Sequence, residues 1–293
     1  MSTENTIGGY NLKSLMMTGQ TSQVWEVVEG HSMRHFALKL LLPENARSPD
    51  HREMLFHEAM VGMSMHHPNV IKMFKCVKEK ANPHIIMEFF PGANMKLRLM
   101  RKQELVKAKA HSILEQAANG LMHMHGHGWV HRDVKPDNIL VNSAGEVRLI
   151  DFALSKRVNA GGAGLLARMF GKKGTKTTSG TRSYMSPEQV LGQRLDECAD
   201  IYSFGATMYE MVANRPPFRG ASPGDLLNKH IREKPISPQA YNAEVTDDCA
   251  NLILRCLSKD KKERPKDFQV FLAAFRGMKI FQGDSLEKPA LGR

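Results

Sequence analysis

Cysteine is scarce in this chain and never closely paired. The four cysteines, Cys76, Cys198, Cys249 and Cys256, are scattered without a CxxC spacing. That argues against a disulfide framework or a cysteine zinc site, and for thiols kept reduced in a cytosol. Long apolar runs are missing as well, since none approaches the roughly 20 residues needed to cross a bilayer. The opening MSTENTIGGYNLKS is polar and lacks the apolar centre of a signal peptide. A cytoplasmic protein without a membrane span is therefore expected. Negative charge is in short supply. Lys and Arg number 41 against 30 Asp and Glu, a formal net charge of +11, which favours anionic partners. Nucleic acid is not the expected one, because no series of aromatic residues alternates with the basic ones as stacking platforms.

What is present falls into two textures. The first ninety residues carry short β-type runs, YNLKSLMM, SQVWEVVE, RHFALKLLL, VIKMFKCV and HIIMEFF, separated by turn residues as in a meander. One helix interrupts them. Ser48 can cap it, Pro49 suits its first turn, and it is expected over 50–65. After Pro91-Gly92 the period becomes helical. LVKAKAHSILEQAANGLMHMH stops near Gly126 and Gly128, and further helices are expected near 199–213, 223–233, 246–257 and 266–277. The segment 158–180 is rich in Gly and basic residues and has no period, so it reads as a long loop. The fold class expected is α+β, with an antiparallel sheet and one main helix in front and a mostly helical lobe behind.

The chemistry concentrates in HRDVKPDNIL, residues 131–140. It offers a carboxylate at Asp133, an ammonium at Lys135 and an amide at Asn138. Phosphoryl transfer needs such a set: a group to take the hydroxyl proton, a cation near the moving phosphoryl and an oxygen ligand for a metal ion. An apolar run, VRLI, then ends in Asp151, a second oxygen ligand. Two short strands flanking a turn would bring Asn138 and Asp151 to one edge.

On these residues the sequence resembles the eukaryotic-type serine/threonine protein kinases, with the style of a bacterial member, over nearly its whole length. FALKL resembles the family's Val-Ala-Ile-Lys strand, and Glu58 precedes His67-Pro68-Asn69 where the family places the partner of that lysine. YMSPEQV resembles Ala-Pro-Glu with Ser186 in place of Ala, DIYSFG resembles Asp-x-Trp-x-x-Gly, and Arg264 in KERP is the expected partner of Glu188. The resemblance implies a bilobal kinase domain over 10–280, with a front lobe 10–88, a hinge 88–92, a rear lobe 93–280, and tails 1–9 and 281–293. It implies transfer of the ATP γ-phosphate to protein Ser/Thr hydroxyls. Asp133, Lys135 and Asn138 would be catalytic, and Asn138 and Asp151 would hold Mg²⁺ or Mn²⁺. The nucleotide set would be Met17, Gly19, Ser22, Val24, Ala37, Lys39, Glu58, Met87 as gatekeeper, Glu88, Phe90, Leu140 and Asp151. Protein substrates are the implied partners, with self-association for autophosphorylation in trans. Thr175, Thr177, Thr178 and Ser179 are the candidate acceptors, with Arg132 as the expected phosphate grip.

The pattern is broken in three places. Of the glycine loop, which falls on MTGQTSQV, only Gly19 remains, with Met17 and Ser22 in place of its neighbours. Ala153 stands where the family has Gly after Asp-Phe; it bears on the hinge rather than the ligand, and costs little where its φ is negative. Gly62, four residues after Glu58, leaves space that neighbouring methionines could fill. A pseudokinase scaffold is the alternative that these breaks raise. Two other readings are weaker. The cluster HMHGHGWVH looks like a metal site, but the resemblance makes His125 and His131 structural. Asp137 and Glu210 match positions that in some family members receive basic substrate side chains; Asn94 stands where such kinases often carry Glu.

Overall fold

The structure, a computed structural model, describes residues 6–101, 104–158 and 181–284. Alternating apolar residues in the first ninety positions build a six-stranded sheet of antiparallel neighbours in the order β1-β2-β3-β4-β6-β5. The strands are β1 Thr6–Ile7, β2 Tyr10–Thr18, β3 Ser22–Glu29, β4 His35–Leu41, β5 Met73–Val77 and β6 His84–Glu88. A short helix, α1 Pro43–Ala46, leads into α2 Pro49–Met63. Ser48 caps α2 through its hydroxyl, which accepts from the His51 N–H, and Pro49 opens the first turn. One inward face of β4 carries Ala37, directly opposite Met87 of β6. Val24 of β3 stands opposite Lys39 of β4.

The rear lobe begins with β7 Gly92–Asn94 and α3 Met95–Met100, whose N-terminus Asn94 caps by accepting from the Leu97 N–H at 2.8 Å. The periodic stretch expected as one helix is two, α4 Glu104–Ala108 and α5 Ala110–Gly126. The break lies at Lys109, φ −113° and ψ 20°, whose ammonium reaches the Ala144 carbonyl at 2.6 Å. Short strands follow: β8 Trp129–Val130, β9 Ile139–Asn142, β10 Val147–Leu149 and β11 Lys156–Arg157. Then come α6 Pro187–Val190, α7 Glu197–Ala213, α8 Pro223–Arg232, α9 Asp247–Cys256 and α10 Phe268–Phe275. Helix α7 is buried on every side from Ala199 to Ala213 and forms the axis of this lobe. Phe204 meets Phe268 and Phe271 edge-on at 5.4 and 5.3 Å. The chain stays packed through Asp284: Phe281 pairs with Val245, and the Asp284 carboxylate accepts from the Phe281 N–H. The expected acceptors Thr175, Thr177, Thr178 and Ser179 lie outside the described residues.

The space left by Gly62 is filled. A Cβ built there would lie 2.4 Å from the Met73 sulfur. Helix α2 therefore seats on β5 through a glycine and a thioether. Gly62→Leu should destabilise the fold by about 1–3 kcal/mol through overpacking, read as a lower urea midpoint at unchanged slope.

Candidate active site

Four parts of the fold converge on one cleft. Lys39 comes from β4, Glu58 from α2, Asp133 and Asn138 from the loop between β8 and β9, and Asp151 from just beyond β10. The Lys39 ammonium donates to both Glu58 oxygens at 2.7 Å, and Asp151 Oδ1 lies 3.9 Å from it. Burial alone would lower the Lys39 ammonium, but the two carboxylates outweigh it and hold the lysine above its ordinary value.

The catalytic-loop candidates are held from below by Asp200, in the first turn of α7. This fully buried carboxylate accepts the backbone N–H groups of His131 at 2.7 Å and Arg132 at 2.8 Å, and the His125 ring sits 2.8 Å away. The Arg132 carbonyl accepts from Gln189 Nε2 at 2.8 Å. Such ties are needed because Arg132 has φ 70° and Asp151 φ 66°. Left-handed backbone at residues with a side chain costs on the order of 1–3 kcal/mol. The loop then places Asp133 so that its Oδ2 accepts from Lys135 Nζ at 2.7 Å and Asn138 Nδ2 at 3.0 Å. The Asn138 amide nitrogen also donates to the Asp133 carbonyl, so its oxygen is the end left to face a ligand. The Ile150 N–H donates to the Asn138 carbonyl at 3.0 Å, which sets Asp151 beside Asn138 as the sequence reading expected.

The two carboxyls are driven apart electrostatically. Burial raises Asp133 above the usual carboxylate range, and Lys135 only partly opposes it. Burial would raise Asp151 too, but Lys39 and Lys135 outweigh it and hold the group below its ordinary value. Asp133 is thereby disposed to take a proton and Asp151 to stay ionised. Their exposure differs in the same sense: the Asp151 side chain is 37% exposed and that of Asp133 is 9%. One ionised carboxylate beside one amide oxygen is a sparse, all-oxygen donor set. It fits a hard divalent cation that takes its remaining ligands from phosphates and water.

Phe152 is fully buried and meets the His131 ring edge-on at 5.7 Å. The left-handed residue of this turn is Asp151; Ala153 is not among the described residues of positive φ. Its N–H donates to the Asp151 carboxylate. A glycine is thus not required at 153, and Ala153→Gly should change phosphotransfer by no more than a few-fold, since the released freedom amounts to about 1 kcal/mol. A steady-state comparison of the two proteins checks this.

The lid differs from the glycine-loop expectation in one respect. Gly19 has no positive φ; its N–H donates to the Ser22 carbonyl at 2.8 Å in the β2–β3 turn. Its use is therefore an open backbone rather than left-handed geometry. Met17, opposite Val24, is 46% exposed, and Ser22 begins β3. On the far wall, Ala37 and the gatekeeper candidate Met87 are buried, with Leu140 half-buried beneath them. The Glu88 side chain is committed to Arg148 Nε at 2.9 Å and to the Lys72 N–H at 3.1 Å. Phe90 is buried, with the Arg148 guanidinium 4.8 Å from its ring centre.

Four contributors were not legible from the motifs. Arg148 pins the hinge from the strand that precedes Asp151. The His57 ring, on α2, lies 2.6 Å from the Ser155 carbonyl and ties that helix to the segment after Asp151. Gln189 and Lys96 also join the site's frame through contacts between residues far apart in the chain. Asp200 had a signal, its place in DIYSFG, and Gln189 lay within YMSPEQV without its role being legible there.

Comparison with known proteins gives the same outline. The protein kinase domain model matches residues 10–275. A probable serine/threonine-protein kinase of Streptomyces coelicolor is 28% identical over 261 residues, covering 88% of this chain and 38% of its own. Serine/threonine-protein kinase PknB of Mycolicibacterium smegmatis is 29% identical over 259 residues, covering 87% and 40%. The probable PknB of Corynebacterium glutamicum is 29% identical over 263 residues, with the same coverage. The chain spans about two fifths of the length of these curated relatives. No helix among the described residues is long and apolar enough to cross a membrane. With a two-lobed α+β fold matched from Tyr10 to Phe275, this chain belongs to the protein kinase domain family.

Proposed function

We propose that the chain transfers the γ-phosphate of ATP to serine or threonine hydroxyls of protein substrates. The observation that carries this reading is the geometry of the cleft: Lys39 held by Glu58 at 2.7 Å, and Asp133 held by Lys135 and Asn138 at 2.7 and 3.0 Å, with Asp151 set beside Asn138 through the Ile150 N–H. In this mechanism the substrate hydroxyl oxygen attacks the γ-phosphorus. The bond from γ-phosphorus to the β,γ-bridging oxygen breaks, ADP leaves with the electron pair, and the hydroxyl proton passes to the Asp133 carboxylate. Lys135 neutralises charge on the moving phosphoryl. Lys39, oriented by Glu58, holds the α- and β-phosphates. Val24, Ala37, Met87 and Leu140 enclose the adenine, Glu88 and Phe90 meet its edge through backbone, and Met17, Gly19 and Ser22 close over the phosphates. Asn138 and Asp151 would hold Mg²⁺ or Mn²⁺, which supplies charge neutralisation to the phosphate oxygens.

The domain is taken as 10–280, with the lobes meeting at 88–92. The relatives named serine/threonine kinases favour hydroxyl acceptors of that type. Autophosphorylation at Thr175–Ser179, between two copies of the chain, is part of the reading. Arg132 supports it: its Nε is buried without a hydrogen-bond partner among the described residues, and its charge helps lower the Lys156 ammonium after burial. The complete Lys39–Glu58 pair and the positioned Asp133, Asn138 and Asp151 leave the scaffold alternative without a supporting observation.

The test is transfer of γ-labelled phosphate from ATP to the protein itself and to generic protein acceptors. Labelling should require a divalent cation, vanish with chelator and collapse in Asp133→Asn. Equal labelling of wild type and Asp133→Asn would sink the assignment.

A further inference from the structure

A second polar cluster borders the catalytic loop. The 3-10 turn Pro136–Asn138, which continues from Asp133 and Lys135, packs on α3. Lys96 of α3 donates to Glu210 of α7, and its ammonium lies 3.4 Å from the Tyr184 hydroxyl. The Tyr184 hydroxyl donates to the other Glu210 oxygen. Burial and the Glu210 carboxylate push the Tyr184 phenol up, and Asp137 adds to that; Asp137 lies in the turn that packs on α3. Asp137 also faces Lys135, whose ammonium it helps keep charged. Because the turn that continues from Asp133 packs on α3, residues flanking a peptide hydroxyl held at Asp133 would have this cluster as a neighbour.

Two acids here could receive a cation from such a peptide: Asp137, whose charge already acts on Lys135, and Glu210, which is saturated. Its side chain is 7% exposed and both oxygens are taken, whereas the Lys96 side chain on top of it is 33% exposed. What the cluster turns outward at this point is an ammonium. Asn94 adds no acid, since its side chain caps α3.

We propose that Lys96 is a specificity-determining residue: it occupies the Glu210 carboxylate from within the chain, so that basic residues flanking the phosphoacceptor are rejected and acidic ones accepted. This rests on the kinase reading and names its substrate class. The physical basis is exclusion. An approaching Arg or Lys would have to displace an internal, part-buried cation from its carboxylate and would meet its like charge on the way.

The test is a peptide set with one central Ser and Ala, Arg or Glu at each flanking position, ranked by kcat/KM. The wild type should gain nothing from Arg at any position and should favour Glu at one or more. Lys96→Met keeps the side-chain length and removes the charge. It should raise the Arg-to-Ala ratio at one flanking position by about tenfold or more, the worth of a hydrogen bond to a charged group. Adding Glu210→Gln to it should abolish that gain. An unchanged ranking in Lys96→Met overturns the proposal. So does a wild-type preference for Arg that Glu210→Gln removes, a result that needs no Lys96 variant to fold. Self-labelling is measured alongside: its absence in the wild type defeats the kinase reading itself, whereas labelling with an indifferent peptide ranking defeats only the role of Lys96.

Discussion

Asp133→Asn is expected to lower phosphotransfer by about 10²–10⁴-fold, the range that a positioned general base contributes. The amide can still accept the hydrogen bonds that Lys135 and Asn138 now donate at 2.7 and 3.0 Å, so the loop should keep its shape. What it cannot do is take a proton. The loss should fall on kcat, with KM for ATP little changed, because Lys39, Glu58 and Asp151 are untouched. A fall in KM-based affinity without a fall in kcat would mean that Asp133 binds rather than accepts. The wild-type rate should also decline as pH falls through the pKa of Asp133, which burial holds above the ordinary carboxylate value, because the protonated acid cannot accept. The decline should therefore begin at higher pH than an exposed aspartate would give.

The largest stability effect is expected far from the cleft. Arg264 is fully buried and pairs with Glu188 through two hydrogen bonds, 2.7 and 3.0 Å. The same guanidinium donates to the carbonyls of Ser258 and Cys198, both at 2.8 Å. Glu188 is itself 2% exposed. Removing the arginine leaves a carboxylate in a dry site, with carbonyls unpaired around it. Arg264→Ala should therefore destabilise the fold by about 3–5 kcal/mol, lowering Tm by about 10 °C for a chain of this size. The double variant Arg264→Met with Glu188→Met should regain much of that loss, because no charge is then stranded. Calorimetry on the three proteins separates the outcomes: equal losses in the single and double variants would mean that packing, not charge, is at stake.

How far the sequence could be read depended on distance along the chain. Asp133, Lys135 and Asn138 lie within one loop, so their spacing alone suggested their chemistry. The strand ending in Asp151 was legible because a carboxylate at the end of VRLI has no packing reason to be there. Lys39 and Glu58 needed the family resemblance, since no periodicity pairs a strand lysine with a helix glutamate. The start of α2 was legible from Ser48, which accepts a backbone N–H as a cap; Ser222 and Thr246 cap α8 and α9 in the same way without having been read as caps. The break at Lys109 was not, because helical spacing continues on either side of it. Nor was the link of Lys96 to Glu210. Each residue alone is an ordinary charge on a helix, and only the packing of α3 beside α7 brings them together. At Ala153 the sequence raised a doubt that backbone geometry answers: the turn asks positive φ of Asp151 and not of its second neighbour.

The joint between α2 and β5 has a consequence in another currency, that of oxidants. A carbon side chain from either wall could have filled the space beside Gly62, but here a sulfur does. Met73 is 6% exposed and its Sδ lies 2.4 Å from where a Cβ of residue 62 would be. An oxygen added to that sulfur brings a polar, bulkier group into a seam with no room for it. Oxidation of Met73 should therefore unseat α2 and weaken the reach of Glu58 to Lys39. The cleft's geometry is in this way tied to the redox state of one methionine, packed one helical turn from Glu58.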